Sequence, residues 1–449
     1  MLRLSIFSLL LLGAISATNS FTPAVLNAAE EAEMPINYDE ASIPPYELPD
    51  PLKMNDGSAV KTAADWESTR RAEILEMFQR EMFGRLPEEL QKAGNHPDFV
   101  KFRVMEECDN ALDGKAIRKQ VEITFQAIGD AEKSVKANLL IYIPKNVEAP
   151  VPVFTGYNFQ GNHTIIDDPA IFISHLRDGS RPEDESNLSG KGARGGQANR
   201  WDVMQILDAG YALATIHYMD VAFDDSRCMK SGIFTLYGNN DDSETRDGDD
   251  WGSITAWAWG LSRVMDYIET DPMLDAKKVA VMGHSRLGKT SLWTGATDPR
   301  FAVVISNNSG CGGAALSRRH YGESVQRINR VFPFWFCKNF RQYGTNTAGL
   351  PMDEHELIAL MAPRGVYVAS AVEDRWADPY GEYLSCFHAV PVYKLYTETP
   401  FDGQAEPHHP DLHQPVGNRI GYHIRAGKHD VTSYDWEQYI KFAKRIFGK

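Results

Sequence analysis

The sequence predicts an α/β fold, a three-layer αβα sandwich around a mostly parallel sheet. Two patterns predict it. Short runs that are apolar on both faces recur along the chain, as strands covered on two sides require. Helix-period stripes lie between several of them, and that alternation is how a parallel sheet is built.

Taken in order, Met1-Leu2-Arg3 is a short basic start, followed by the apolar run Leu4–Leu12 and the small residues Gly13–Ala17. This is the pattern of a secretory signal over residues 1–17, too short to span a bilayer comfortably. The protein is therefore expected to be secreted or periplasmic, with no membrane attachment after cleavage; an uncleaved anchor is the alternative. Residues 18–55, rich in Ala, Glu and Pro without a sustained period, read as a flexible leader. Helix signals begin near Thr62, where Trp66, Ile74, Phe78 and Met82 keep near-helical spacing before Gly84 and Pro87. Strand-like runs follow at Asn138–Ile143, Pro152–Thr155, Tyr211–Ile216, Lys278–Met282, Phe301–Ser306, Gly365–Ala371 and Ile420–Ile424. One helical stripe is Ile254, Trp257, Leu261, Val264 and Ile268, stopped by Asp271-Pro272. Another is Trp436, Ile440, Ala443 and Phe447. With no internal repeat, residues 56–449 are expected to form one domain, and the chain is expected to be a monomer.

Composition narrows the function. Lys plus Arg number 46 against 61 Asp plus Glu, a net charge of −15. Such a chain repels a phosphate backbone and an anionic bilayer, which excludes nucleic acid and lipid surfaces as partners. At 24% charged and 11% aromatic it lies outside the disordered class. Cys108, Cys228, Cys311, Cys337 and Cys386 are too few and scattered for a disulfide scaffold, although one or two bridges are open to an exported chain. Two long polar segments, Ser180–Asn199 with Arg194-Gly195-Gly196-Gln197 and the acidic Phe223–Asp250, break the alternation. Loops of that length in a compact domain are usually functional or disordered.

The chemistry concentrates at Val279–Lys289, VAVMGHSRLGK. A buried strand runs into Gly283-His284-Ser285 and a helix pattern starts at Arg286. That is the setting of a nucleophile elbow, whose sharp turn needs small neighbours and lifts the serine hydroxyl above the sheet. The usual glycine two residues after the serine is absent; Gly288 stands three after. The competing interpretation is an ordinary helix N-cap serine. Arg286 adjoins the nucleophile, where a guanidinium suits an oxyanion or an anionic substrate group. Lys289, four residues past Ser285, falls on nearly the same helix face.

GHSRLGK, SNNSGCGGAALSRR, INRVFPFWFCKNF, EDRWADP and GKHDVTSYDW follow in this order over residues 283–436, and WGSITAWAWGLSRVMDYIETDP precedes them at 251–272. Together they resemble the glucuronoyl esterases, specifically their bacterial branch, carbohydrate esterases with the α/β-hydrolase fold. The resemblance implies hydrolysis of the ester between 4-O-methyl-glucuronic acid of glucuronoxylan and lignin alcohols, with no cofactor and no metal. It implies Ser285 as nucleophile, Arg286 as an oxyanion-stabilising arginine, Lys289 and Glu323 as contacts to the sugar hydroxyls, and Trp376 as the lining of the uronate pocket.

Triad order in this fold is serine, acid, histidine. His429, in Gly427-Lys428-His429-Asp430 after the last strand-like run, is the expected base. His408, His409 and His413 are competitors; His409 and His413 have metal-like spacing, but Pro410 argues against a helix there. Fungal members of the family carry a Glu just before the Ser-Gly that follows the next strand. Here Asn308 stands in that place, and Asn cannot stabilise an imidazolium by charge. The other family position is Glu373-Asp374, so Asp374 is the expected acid and Glu373 the second choice. Two rival functions remain: another polysaccharide esterase, such as one removing acetyl groups from xylan, and a non-catalytic uronate-binding protein.

Overall fold

Alternation within each apolar run decides which layer a side chain joins. Val279 and Val281 enter one core, whereas Ala280 and Met282 enter the core on the opposite face of the sheet. The computed structural model describes residues 35–174, 188–237, 246–403 and 409–448. The expected signal segment, the leader as far as residue 34, and His408 lie outside the described residues.

Ten strands form one sheet: β1 (Val100–Asn110), β2 (Ala116–Ala127), β3 (Asp130–Pro144), β4 (Val151–Asn158), β5 (Ala212–His217), β6 (Leu274–His284), β7 (Val303–Asn307), β8 (Gly365–Ala371), β9 (Val416–Gly417) and β10 (Ile420–Arg425). Their order is β1-β2-β3-β5-β4-β6-β7-β8-β10-β9. The six neighbours from β5 to β10 are parallel, and the strands outside them are antiparallel. Every strand-like run of the sequence lies in or overlaps one of these strands. One face is covered by the helices Ser253–Thr270, Arg286–Thr297 and Pro379–Tyr393, which contribute Trp257, Trp293 and Tyr383 to its core. The other face is covered by Val203–Asp208 and Ser433–Phe447, with Ile206, Trp436, Tyr439 and Phe442. This is the α/β-hydrolase arrangement.

Two findings depart from the sequence reading. The antiparallel β1–β2–β3 edge is not predicted, because β1 and β2 carry charges along their length. The buried ones are paired: Arg118 donates to Glu106 at 2.8 Å and to Asp168 at 2.6 Å, and Lys119 to Asp271 at 2.8 Å. Charged edge strands resist pairing with other chains. The leader boundary also moves, since residues 35–55 pack on the body. Glu40 accepts from Arg319 at 2.8 Å, the Pro49 carbonyl lies 2.9 Å from His355 Nε2, and the Pro51 carbonyl accepts from Arg70 at 3.3 Å. In keeping with the scattered spacing, the cysteines build no disulfide scaffold: all five are free thiols, four of them buried. Among the described residues no helix is long and apolar enough to cross a membrane.

Candidate active site

The carboxyl ends of four adjacent parallel strands, β6, β7, β8 and β10, lead directly to Ser285, Asn308, Asp374 and His429. Ligand sites of open α/β sheets collect at such ends.

Ser285 stands at the N-cap position of the helix Arg286–Thr297 but makes no side-chain cap bond, and its φ of 58° and ψ of −129° form a backbone conformation that serine rarely adopts. The turn is closed by Ser285 N donating to the Asn307 carbonyl at 2.9 Å and Gly288 N donating to the Ser285 carbonyl at 2.8 Å. A Cβ on Gly283 would sit 1.8 Å from the Leu287 carbonyl oxygen, so only glycine fits there. Gly288 has a different task. A Cβ there would meet Ser309 Cβ at 3.0 Å and Ser306 Oγ at 3.1 Å, so its smallness lets the helix approach β7. The serine hydroxyl has no hydrogen-bond partner among the described residues.

His429 Nδ1 lies 2.6 Å from Asp374 Oδ2, and the same oxygen accepts from Asn308 Nδ2 at 2.8 Å. Asp374 is buried, while the His429 side chain is 40% exposed and open to the cavity. Asn308 sits in the position expected for the alternative acid and steadies Asp374 by hydrogen bond. Glu373 is exposed and has no such contact. The loop that carries His429 is shaped from beneath. Arg425, fixed by Asp435 at 2.7 Å, donates to the carbonyls of Ala426, Lys428 and Asp430. Asp435 is also the capping-box acid of the last helix and lies 2.9 Å from His423 Nε2. A second buried histidine, His284, packs its ring 4.4 Å from that of His429, and its Nδ1 lies 2.6 Å from Asn307 Oδ1. Burial holds His284 well below the usual imidazole range, so it stays neutral beside His429.

Arg286 is braced on two sides. Its Nη1 donates to Asp224, and its guanidinium lies 4.7 Å from the Trp335 ring centre. Asp224 is itself held by the Trp335 indole N–H at 2.7 Å and the Tyr218 hydroxyl at 3.0 Å. Lys289 Nζ donates to the Ser309 carbonyl at 2.5 Å and the Cys311 carbonyl at 2.6 Å, and lies 3.6 Å from Glu323. Burial raises the Glu323 carboxyl above its ordinary range, with Lys289 opposing. Glu323 N donates to the Trp376 carbonyl at 3.0 Å. Ser285, Arg286, Lys289, Glu323, Trp335, Trp376 and His429 together line a cavity of about 330 Å³. A second cavity of about 220 Å³ shares Ser285, Arg286 and His429 on another side.

Every residue expected from the sequence thus converges on one place. His409 and His413 do not join it. His409 packs among Tyr380, Tyr383 and Tyr422, whereas His413 Nε2 accepts from Ala426 N at 3.3 Å. Asp224, His284 and Trp335 were missed. Only the acidic character of the 223–250 segment and the aromatic run around Trp335 hinted at two of them.

Two curated relatives and one solved structure place the chain. A carbohydrate esterase from an unidentified prokaryote is 47% identical over 409 residues, 91% of each chain. The 4-O-methyl-glucuronoyl methylesterase of Schizophyllum commune is 30% identical over 358 residues, 76% of this chain and 72% of the relative. The chain belongs to the glucuronoyl esterase family. The family profile described as glucuronyl esterase of fungi matches residues 197–397 of this esterase. The structure of the glucuronoyl esterase from Solibacter usitatus, 43% identical, superposes with a TM-score of 0.82 and covers 91% of this chain and 100% of that one. The esterase is accordingly a carboxylic ester hydrolase.

One buried group of this esterase lies just behind the site. Glu382 accepts from Ser309 N at 2.7 Å, Gly310 N at 3.0 Å and Ser370 Oγ at 2.6 Å. Burial, with Asp374 adding to it, pushes its carboxyl up to about 8. An unfolded carboxyl titrates near about 4.3, so between these values the folded chain holds the extra proton. Glu382 therefore contributes stability at about pH 4 that is lost as pH rises toward 8. Glu382→Gln, which imitates the protonated acid, should remove this loss. Unfolding free energies of the two proteins, measured by denaturant titration from about pH 5 to about pH 8, should diverge with the wild type falling faster. Parallel profiles would contradict the assignment.

Proposed function

We propose that the esterase cleaves the ester between 4-O-methyl-D-glucuronic acid of glucuronoxylan and an alcohol of lignin, through a Ser285–His429–Asp374 triad. The observation that carries this reading is the 2.6 Å contact of His429 Nδ1 with buried Asp374, in a cavity shared with the strained Ser285. Asp374 fixes the imidazole tautomer so that Nε2 faces the reaction, and it stabilises the imidazolium that forms. His429 takes the Ser285 proton as Oγ attacks the uronoyl carbonyl, and bonds between serine and histidine commonly tighten only with substrate in place. The backbone amide of Arg286, at the open start of its helix, and the braced guanidinium hold the oxyanion. His429 then protonates the departing alcohol. Water, deprotonated by the same imidazole, releases the uronate and restores Ser285. No step requires a metal or an organic cofactor.

The acyl side supports a sugar acid. Lys289 and Glu323 offer a buried cation and carboxylate for hydroxyl groups, and Trp376 offers a ring face for the sugar. An acetyl group would leave both charges without hydroxyl partners in a closed complex, which is costly. The name of the Schizophyllum commune relative points to the same acyl group. The apolar run behind Arg3 supports export to the compartment where plant cell walls are met, and the acidic domain suits that role.

The test is selectivity. Benzyl D-glucuronate should be hydrolysed with kcat/KM at least about 100-fold above acetyl release from acetylated xylan. Acetyl release without uronate cleavage would overturn the substrate and leave only the hydrolase.

A further inference from the structure

The second cavity, about 220 Å³, opens beside Ser285 and His429 away from Lys289 and Glu323. If the sugar acid occupies the larger cavity, the departing alcohol has this one. Its composition is unlike the rest of the molecule. The chain carries −15 overall, yet no Asp or Glu lines this chamber, while Lys191, Arg200 and Arg286 do. Arg286 is neutralised by Asp224. Arg200 is paired through Nε alone, to Asp430 at 2.5 Å, and its two terminal nitrogens have no hydrogen-bond partner among the described residues. Lys191 Nζ likewise has none among them. Phe159 and Tyr218 supply the apolar walls.

The cations are held by a built segment. Gly195 N and Gln197 N donate to the carbonyls of His163 and Thr164 at 3.0 and 2.8 Å, and His163 Nε2 lies 3.1 Å from the Gly192 carbonyl. Gly196 is pressed so closely that a Cβ would lie 2.3 Å from the Gly190 carbonyl oxygen. The Trp436 indole N–H donates to the Arg200 carbonyl at 2.8 Å, so the far end is tied to the last helix. The Arg194-Gly195-Gly196-Gln197 motif thereby acts as a clasp between Lys191 and Arg200. A guanidinium with unused N–H groups and a nearby ammonium, flanked by aromatic rings, match a carboxylate on an aryl group.

We infer that this chamber is a leaving-group subsite selecting alcohols that carry a carboxylate, with Arg200 and Lys191 as its specificity residues. The inference rests on the acyl assignment proposed above. Two esters of D-glucuronic acid test it, 4-carboxybenzyl and its neutral isostere 4-carbamoylbenzyl. They share the acyl group and every catalytic step, so the ratio of their kcat/KM values reports the chamber alone. The carboxylate should be favoured about tenfold at low salt. The preference should shrink in about 0.5 M NaCl, where the screening length falls to about 4 Å. It should fall part-way in Lys191→Gln and to about unity in Lys191→Gln/Arg200→Gln. A ratio at or below one in the wild type, or one preserved in the double variant, overturns the subsite. Failure to cleave either ester, with acetyl release intact, would instead overturn the acyl assignment.

Discussion

Ser285→Gly should abolish cleavage of a uronate ester, by about 10⁵- to 10⁶-fold in kcat, and yet leave a more stable protein. The two effects have one origin. Serine at φ 58° and ψ −129° occupies a region that costs a residue with a Cβ about 1–3 kcal/mol. Glycine adopts such a conformation freely, though it loses about 0.5–1 kcal/mol more chain entropy on folding. The hydroxyl makes no hydrogen bond among the described residues, so its loss breaks none of them. The expected net gain is about 1 kcal/mol, read as a higher denaturation midpoint. Ser285→Ala separates the causes: it should be equally inactive without the gain, because alanine keeps the Cβ. Residual cleavage in Ser285→Gly would place the nucleophile elsewhere. A lowered midpoint would mean that the elbow stores no strain.

How much of this was legible in the sequence depends on the range of each interaction. The strand before Ser285, the tight turn and the helix after it are local, and Val279–Lys289 displays all three. The displaced glycine was legible as an anomaly, but its cause was not. Gly288 is small because Ser306 and Ser309 of the neighbouring strand end press on it, and that pressure comes from another part of the chain. Asp224 illustrates the harder case. It braces Arg286 from 62 positions away, within a segment that showed only an excess of acidic residues. The β1–β2 edge was hidden for a different reason, since its charges find partners across strands, Arg103 with Glu122 and Arg118 with Glu106, and a search for apolar runs passes over them. Glu382 left no trace, because an acid on a helix is ordinary until the helix is buried against the turn it supports.

Asp374→Asn should lower kcat for the uronate ester by about 10⁴-fold with little change in KM, the loss expected when a triad acid becomes an amide. The amide cannot stabilise an imidazolium, and by donating toward His429 Nδ1 it favours the wrong tautomer. Asn308 makes the experiment more informative than a single deletion. Its Nδ2 reaches Asp374 Oδ2 at 2.8 Å, the same oxygen that lies 2.6 Å from His429. Charge and amide are therefore adjacent, and exchanging them keeps one carboxylate and one amide in the pair. In Asn308→Asp/Asp374→Asn the relocated carboxylate accepts from the relocated amide and lies within one side chain of the imidazole. The exchange should recover about 10- to 100-fold of the lost kcat. Asn308→Asp alone should not help, since two carboxylates this close cannot both ionise and the shared proton weakens the one His429 needs. Kinetics of the four proteins on benzyl D-glucuronate form a complete cycle. Additive losses in the double variant would mean that the imidazole requires its carboxylate at position 374 itself. Full activity in Asp374→Asn would remove Asp374 from the triad.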